Sequence, residues 1–281
     1  MPEIDASAIA DYRSEGVTVL RNYLDRDVLE TVNAQIAMLF ERQLTYLGLP
    51  VARGEARTAL HENALALLRA DIPRYIATAR TTQELPLVDR ILVSEAVVEI
   101  AAAFGIEFPI TSTKPSVHMM ADDLKIPNGY HKSPAHQDWR SIQGSLDNLV
   151  LWIPTTPVAA TSNALEVVRG SHLLGLLPTA QHIMTPMVDD PRIKETDFEP
   201  LPVAPGDVIA FSSFLVHRTG ECGDGLVRIA LSTRFNNAFE PTYVQRGYAT
   251  PYKYAYRLDL MVPGFPTEAQ VQDAVGVRRA G

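Results

Sequence analysis

The segment APGDVIAFSSFLVHRTGECGDGLVRIALSTRF, residues 204–235, decides the fold class. It opens on a Pro-Gly-Asp turn, runs apolar to His217, turns again at ECGDG and continues as LVRIALSTRF (226–235). The turns punctuate runs of the β-branched and aromatic residues that suit a pleated surface. Side chains alternate between the two faces of a strand. Arg228, Ala230, Ser232 and Arg234 therefore share one face of the last run, and Val227, Ile229, Leu231 and Phe235 the other. The apolar set needs a covering layer, plausibly of helices, and the small and charged set then faces a sandwich interior. An arginine there is costly without an anion beside it. A ligand carboxylate gripped by the guanidinium would supply one, and so would a structural ion pair.

The same rhythm starts near residue 108, in PSVHMMA (115–121), NLVLWIP (148–154) and ALEVV (164–168). Such spacing predicts an all-β sandwich or barrel. Ahead of it, GVTVLRNYL (16–24) reads as a strand. Helices are predicted over 25–40, with Asp25 as N-cap, over 55–70, and over 86–105 ending at Gly105. Helices first and strands after them predict one all-β core with flanking helices rather than a βαβ fold. The expected organisation is a single domain over 1–281: a mainly helical buttress (1–107), a β core (108–240) and a tyrosine-rich C-terminal arm or lid (241–281).

The chain has 281 residues, 46% of them hydrophobic, enough for a real core. Its 33 acidic and 25 basic residues give a net charge of -8, the opposite of a nucleic-acid footprint. Cys222 is the only cysteine, so there is no disulfide framework and no CxxC metal site. No apolar run approaches the roughly 18 residues that a membrane span needs, and the first residues lack the basic-then-apolar order of a signal peptide. The expectation is a cytoplasmic protein with a small-molecule partner, and neither nucleic acid nor membrane.

In SPAHQDWRSIQGS (133–145) an imidazole and a carboxylate stand two apart, at His136 and Asp138. If the chain is extended there, both project together. Such a pair suits Fe(II), Mn(II) or Zn(II), although a surface histidine beside a turn aspartate fits a lone HxD as well. His217, at the end of an apolar strand, is either a core histidine or a third ligand. Two histidines and one carboxylate form the facial triad of non-haem iron oxygenases. Pro134 makes a common projection with His131 a poor expectation.

Together, HQD (136–138), LVLWIP (149–154), SNALEVVRGSH (162–172), PGDVIAFSSFLVHRTG (205–220) and RIALSTRF (228–235) resemble the phytanoyl-CoA dioxygenase family of Fe(II)/2-oxoglutarate oxygenases. The opening YRSEGVTVLRNYLD (12–25) is similar too, so the resemblance spans nearly the whole chain. It implies a double-stranded β-helix, or jelly roll. It implies His136, Asp138 and His217 as iron ligands, with Arg228 gripping the distal carboxylate of 2-oxoglutarate and Thr219 as a hydroxyl helper. It implies cosubstrate contacts from Trp152 and His118, the use of O2, and release of succinate and CO2 as a small molecule is hydroxylated. Related halogenases replace the carboxylate ligand with a small residue, so Asp138 points to hydroxylation or a related oxidation, such as desaturation, epoxidation or ring formation, over halogenation. A homodimer is an expectation of the resemblance alone. The sequence departs from the family at AATSNA (159–164) and at Arg169, away from the triad.

Substrate contacts are expected from the loop 121–140, at Lys132, Trp139 and Arg140, and from Arg234. Arg234 lies six residues beyond Arg228, roughly 20 Å away in a strand. It must therefore meet a separate anion, either a substrate group or an internal Asp or Glu. Two rivals stay open: a cupin-like Zn or Mn hydrolase or isomerase, which would not need Arg228, and a non-catalytic jelly-roll binding module, which would be expected to have lost a ligand or the arginine.

Overall fold

A computed structural model describes residues 3–112, 114–127, 131–180 and 186–245. The arm or lid expected over 241–281 lies outside the described residues from 246 onward. The chain begins with α1 (Ala6–Glu15) and β1 (Val17–Leu20). Five helices follow: α2 (Arg26–Tyr46), α3 (Ala56–Ala70), α4 (Ile72–Thr81), α5 (Pro86–Leu92) and α6 (Glu95–Ala103). Next come β2 (Pro109–Thr111), β3 (Ser116–Met120), the short α7 (Trp139–Ile142), β4 (Leu149–Pro154) and β5 (Leu165–Val167). The chain continues through β6 (Thr179–Ala180), β7 (Met187–Val188), β8 (Glu199–Pro200), β9 (Val208–Ser212), β10 (His217–Thr219), β11 (Arg228–Asn237) and α8 (Pro241–Gln245).

Asp25 caps α2 as expected, its side chain accepting from the Asp27 amide. The single helix expected over 86–105 is two. Ser94 adopts an extended conformation (φ -63°, ψ 155°), and its hydroxyl donates to the Ile91 carbonyl at 2.8 Å. A serine hydroxyl that satisfies a helix-end carbonyl offers the backbone an alternative to continuing the helix. Helix α4 has no counterpart in the sequence reading. It starts where Asp71 accepts from the Arg74 amide and Pro73 occupies the first turn.

The strands form two main antiparallel sheets. The larger runs β1-β9-β4-β11-β2, with β3 also paired to β11, and the smaller runs β10-β5-β8. They face each other as a jelly roll. The faces of the larger sheet separate cleanly. Leu149, Leu151 and Ile153 of β4 pack with Val227, Ile229, Leu231 and Phe235 against Val32, Ile36 and Phe40 of α2 and the other helices. Val150, Trp152 and Ala230 turn inward to meet Leu165, Val167, Leu201 and Val203. All six residues of β4 are buried, so LVLWIP reads as a continuous apolar run rather than an alternating one. The Pro-Gly-Asp turn is structural. The Asp207 carboxylate accepts from Arg21 Nη1 (2.8 Å), the Asn22 amide (2.9 Å) and the Ala204 amide (3.0 Å), joining the ends of β1 and β9.

Leu151→Ala, at a fully buried helix-facing position, should cost about 2–5 kcal/mol in urea unfolding. Met38→Ala, at a position 66% exposed, should stay within about 0.5 kcal/mol of the parent.

Candidate metal centre and active site

Main-chain hydrogen bonding brings the two histidines together. His136 and His217 form an isolated antiparallel bridge, His136 N donating to His217 O at 2.9 Å and His217 N to His136 O at 3.1 Å. Each ring also bonds a carbonyl two residues upstream: His136 Nδ1 to Pro134 O at 2.7 Å, and His217 Nδ1 to Leu215 O at 3.0 Å. A carbonyl only accepts, so Nδ1 carries the proton and Nε2 presents its lone pair. Asp138 is not extended, in contrast to the strand geometry considered for 136–138. It sits at φ -61°, ψ -34° and heads α7. The bridge at His136 and the helical turn at Asp138, rather than strand alternation, make the two side chains converge. Asp138 Oδ1 lies 3.4 Å from His136 Nε2 and 3.8 Å from His217 Nε2. The three ligand atoms lie within 4.8 Å of one another, and all three residues are buried.

Burial by itself would raise the Asp138 carboxyl. The Arg234 guanidinium and the two imidazoles outweigh it and hold the group well below the usual carboxylate range. Arg234 Nε donates to Asp138 Oδ2 at 2.8 Å, and Nη2 forms an ion pair with the same oxygen, also at 2.8 Å. Burial, with His136 alongside, pushes the His217 imidazole down to about 3, so it is neutral and ligand-ready at ordinary pH. Two imidazoles and an ionised carboxylate fit a divalent transition metal such as iron.

The triad lines a cavity of about 420 Å3 between the two sheets. Arg228, Trp152, Thr219 and His118 line the same cavity. Arg228 is 3% exposed, and its guanidinium carbon lies 5.1 Å from the Trp152 ring centre. His118 Nε2 lies 2.9 Å from Ser232 Oγ. Burial, aided by Arg228 and Arg234, pushes this imidazole down to about 3. The expected loop contacts fall elsewhere. Lys132 pairs with Asp122 at 2.9 Å, Trp139 stacks on Phe214 at 5.4 Å, and Arg140 Nη2 donates to Leu177 O at 2.6 Å. Among the described residues, the cavity wall takes Ser133, Ser141 and Ile142 from this region instead, with Gln83 and Lys114 from outside it. Between the two partners expected for Arg234, the structure shows the internal carboxylate.

Gln137 has no role in the sequence reading. It is fully buried, donates to Gly175 O (2.8 Å) and Phe214 O (2.6 Å), and accepts from Leu177 N (2.8 Å). These bonds pin the turn that carries His136 and Asp138. The only sequence signal was its place between His136 and Asp138. Gln137→Leu removes the partner of the buried Leu177 amide and of the half-buried Gly175 and Phe214 carbonyls. It should cost about 1–3 kcal/mol in urea unfolding and weaken metal binding about tenfold or more in an anaerobic titration. The two depressed histidines set a pH dependence. The unfolded chain takes up protons near 6.5 that folded His118 and His217 refuse until about 3. Apoprotein stability should therefore fall as pH drops below 6.5. His118→Gln should flatten that fall by one proton, about 1.4 kcal/mol per pH unit, in urea midpoints taken from pH 6 to 4.

No curated protein sequence matches the chain. Solved structures share its fold at low identity. The epimerase SnoN in complex with Fe3+, alpha ketoglutarate and nogalamycin RO is 18% identical, with a TM-score of 0.54 over 90% of this chain and 92% of that one. AviO1 from Streptomyces viridochromogenes Tue57 is 22% identical, with a TM-score of 0.52 over 86% and 99%. The apoform of EctD from S. alaskensis is 14% identical, with a TM-score of 0.54 over 84% and 78%. No helix among the described residues is long and apolar enough to cross a membrane. Residues 12–224 match phytanoyl-CoA dioxygenase (PhyH), and the chain belongs to that family.

Proposed function

We propose that this protein is an Fe(II)/2-oxoglutarate-dependent dioxygenase that hydroxylates a small molecule. One observation carries the reading: a buried His-Asp-His cluster and a buried arginine, Arg228, line the same cavity. Family membership supports it, as does a shared fold with SnoN, which was crystallised with Fe3+ and alpha ketoglutarate. His136 and His217 would hold the iron through Nε2, and Asp138 through Oδ1. Arg228 would take the distal carboxylate of 2-oxoglutarate. A planar guanidinium on the cavity wall matches the two-point geometry of a carboxylate, and its carbon lies 5.1 Å from the Trp152 ring centre. Thr219 offers a hydroxyl next to His217, and neutral His118 offers a ring nitrogen through the Ser232 side of the cavity.

Bound there, iron with 2-oxoglutarate and O2 supplies the oxidation of a substrate C–H bond, coupled to release of succinate and CO2. The chain's own part is to orient and to exclude water. The carbonyls of Pro134 and Leu215 fix the ring faces. Val150, Leu165 and Phe211 supply apolar wall. Gln83, Lys114, Ser133 and Ser141 give the rest of the cavity polar groups suited to a small polar substrate. The net charge of -8 argues against nucleic acid as that substrate and fits a cytoplasmic enzyme. A homodimer belongs to the same reading through the family.

Anaerobic addition of Fe(II) and 2-oxoglutarate should produce the weak visible charge-transfer band of an iron–oxoacid chelate. His136→Ala should abolish it, and Arg228→Ala should demand at least about tenfold more 2-oxoglutarate. A parent protein without the band, but thermally stabilised by Zn(II) or Mn(II), would overturn this reading in favour of a cupin-like enzyme.

A further inference from the structure

The two oxygens of the Asp138 carboxylate have different partners. Oδ1 faces both imidazoles, at 3.4 Å and 3.8 Å. Oδ2 accepts a hydrogen bond from Arg234 Nε at 2.8 Å and forms an ion pair with Nη2 of the same guanidinium, also at 2.8 Å. The side chains of Arg234 and Asp138 are only 15% and 7% exposed, so water screens the pair little. Arg234 stands on β11 opposite Val150 of β4, in a strand buried on both sides, so its backbone cannot easily follow a moving carboxylate. It shares its face with Arg228 at a separation that leaves the two guanidinium groups separate tasks.

We infer that Arg234 is a positioning residue that holds Asp138 as a one-oxygen metal ligand, and so keeps three coordination places open; the inference rests on the iron and 2-oxoglutarate reading above. Six places surround an octahedral ion. His136, His217 and one oxygen of Asp138 would take three, leaving the others for an oxoacid cosubstrate and O2. A carboxylate is equally able to bind through both oxygens. Asp138 could do so only by turning Oδ2 away from the hydrogen bond and ion pair it makes with Arg234 in a buried setting. The ion pair therefore acts on coordination number, where a purely structural pair would act only on the fold.

The test loads the parent, Arg234→Met and Arg234→Lys with Co(II) alone, whose visible ligand-field bands report the number of donor atoms. Each protein is separately given Fe(II) and 2-oxoglutarate without oxygen. The Co(II) spectrum of Arg234→Met should differ from that of the parent. Arg234→Lys, which keeps one charged donor, should move it back toward the parent. The iron–oxoacid band of Arg234→Met should need at least about tenfold more 2-oxoglutarate. Should Arg234→Met fail to fold, Arg234→Gln, a neutral donor, takes its place. Lower thermal stability with parental Co(II) and oxoacid spectra would overturn the inference. A parent lacking the oxoacid band sinks the 2-oxoglutarate reading, while the Co(II) comparison still decides whether Arg234 positions Asp138.

Discussion

Two hydrogen bonds between the main chains of His136 and His217 are the constraint on which the site depends. They tie the HQD turn to β10 of the smaller sheet and set the imidazoles 4.2 Å apart, centre to centre. Each ring is then fixed by its own local carbonyl, so rotamer and tautomer follow from the backbone. Gln137 holds the turn from behind through Gly175, Leu177 and Phe214. The triad is thus presented by main-chain geometry, with little left to side-chain freedom.

The larger sheet makes the arrangement affordable in energetic terms. Its outer face is sealed by a continuous apolar core with the helices. Its inner face is thereby held rigid enough to carry Arg228 and Arg234 into the interior. Arg234 pairs there with Asp138. Arg228 lies beside Trp152 on the cavity wall. On the opposite sheet, Glu166 pairs with Arg218 at 2.6 Å, and Arg218 reaches on to Glu195, so the ALEVV motif is a fastening of the smaller sheet.

Much of this was legible in the residues. The alternation in RIALSTRF separates the helix-facing set from the cavity-facing set without error, because strand parity is strict and both faces are buried. His136, Asp138, His217 and Arg228 stand out by residue type and order. Directions within irregular chain were not legible. Nothing in 121–142 tells that Lys132, Trp139 and Arg140 turn to Asp122, Phe214 and Leu177 while Ser133 and Ser141 line the cavity. Loop side chains follow long-range contacts rather than a period. The break at Ser94 escaped because one hydroxyl-to-carbonyl bond overrides an otherwise apolar helical pattern. Gln137 escaped because its three partners lie 38 to 77 residues away.

His136, Asp138 and His217 are proposed to hold one iron ion, and X-ray absorption at the iron edge reads their number. With Fe(II) bound under anaerobic conditions, the parent should show scattering from two imidazole rings. His217→Ala, with Gln137 and Arg234 intact, should show one. Two rings persisting in that variant, or none in the parent, would contradict the assignment of the metal to this cavity.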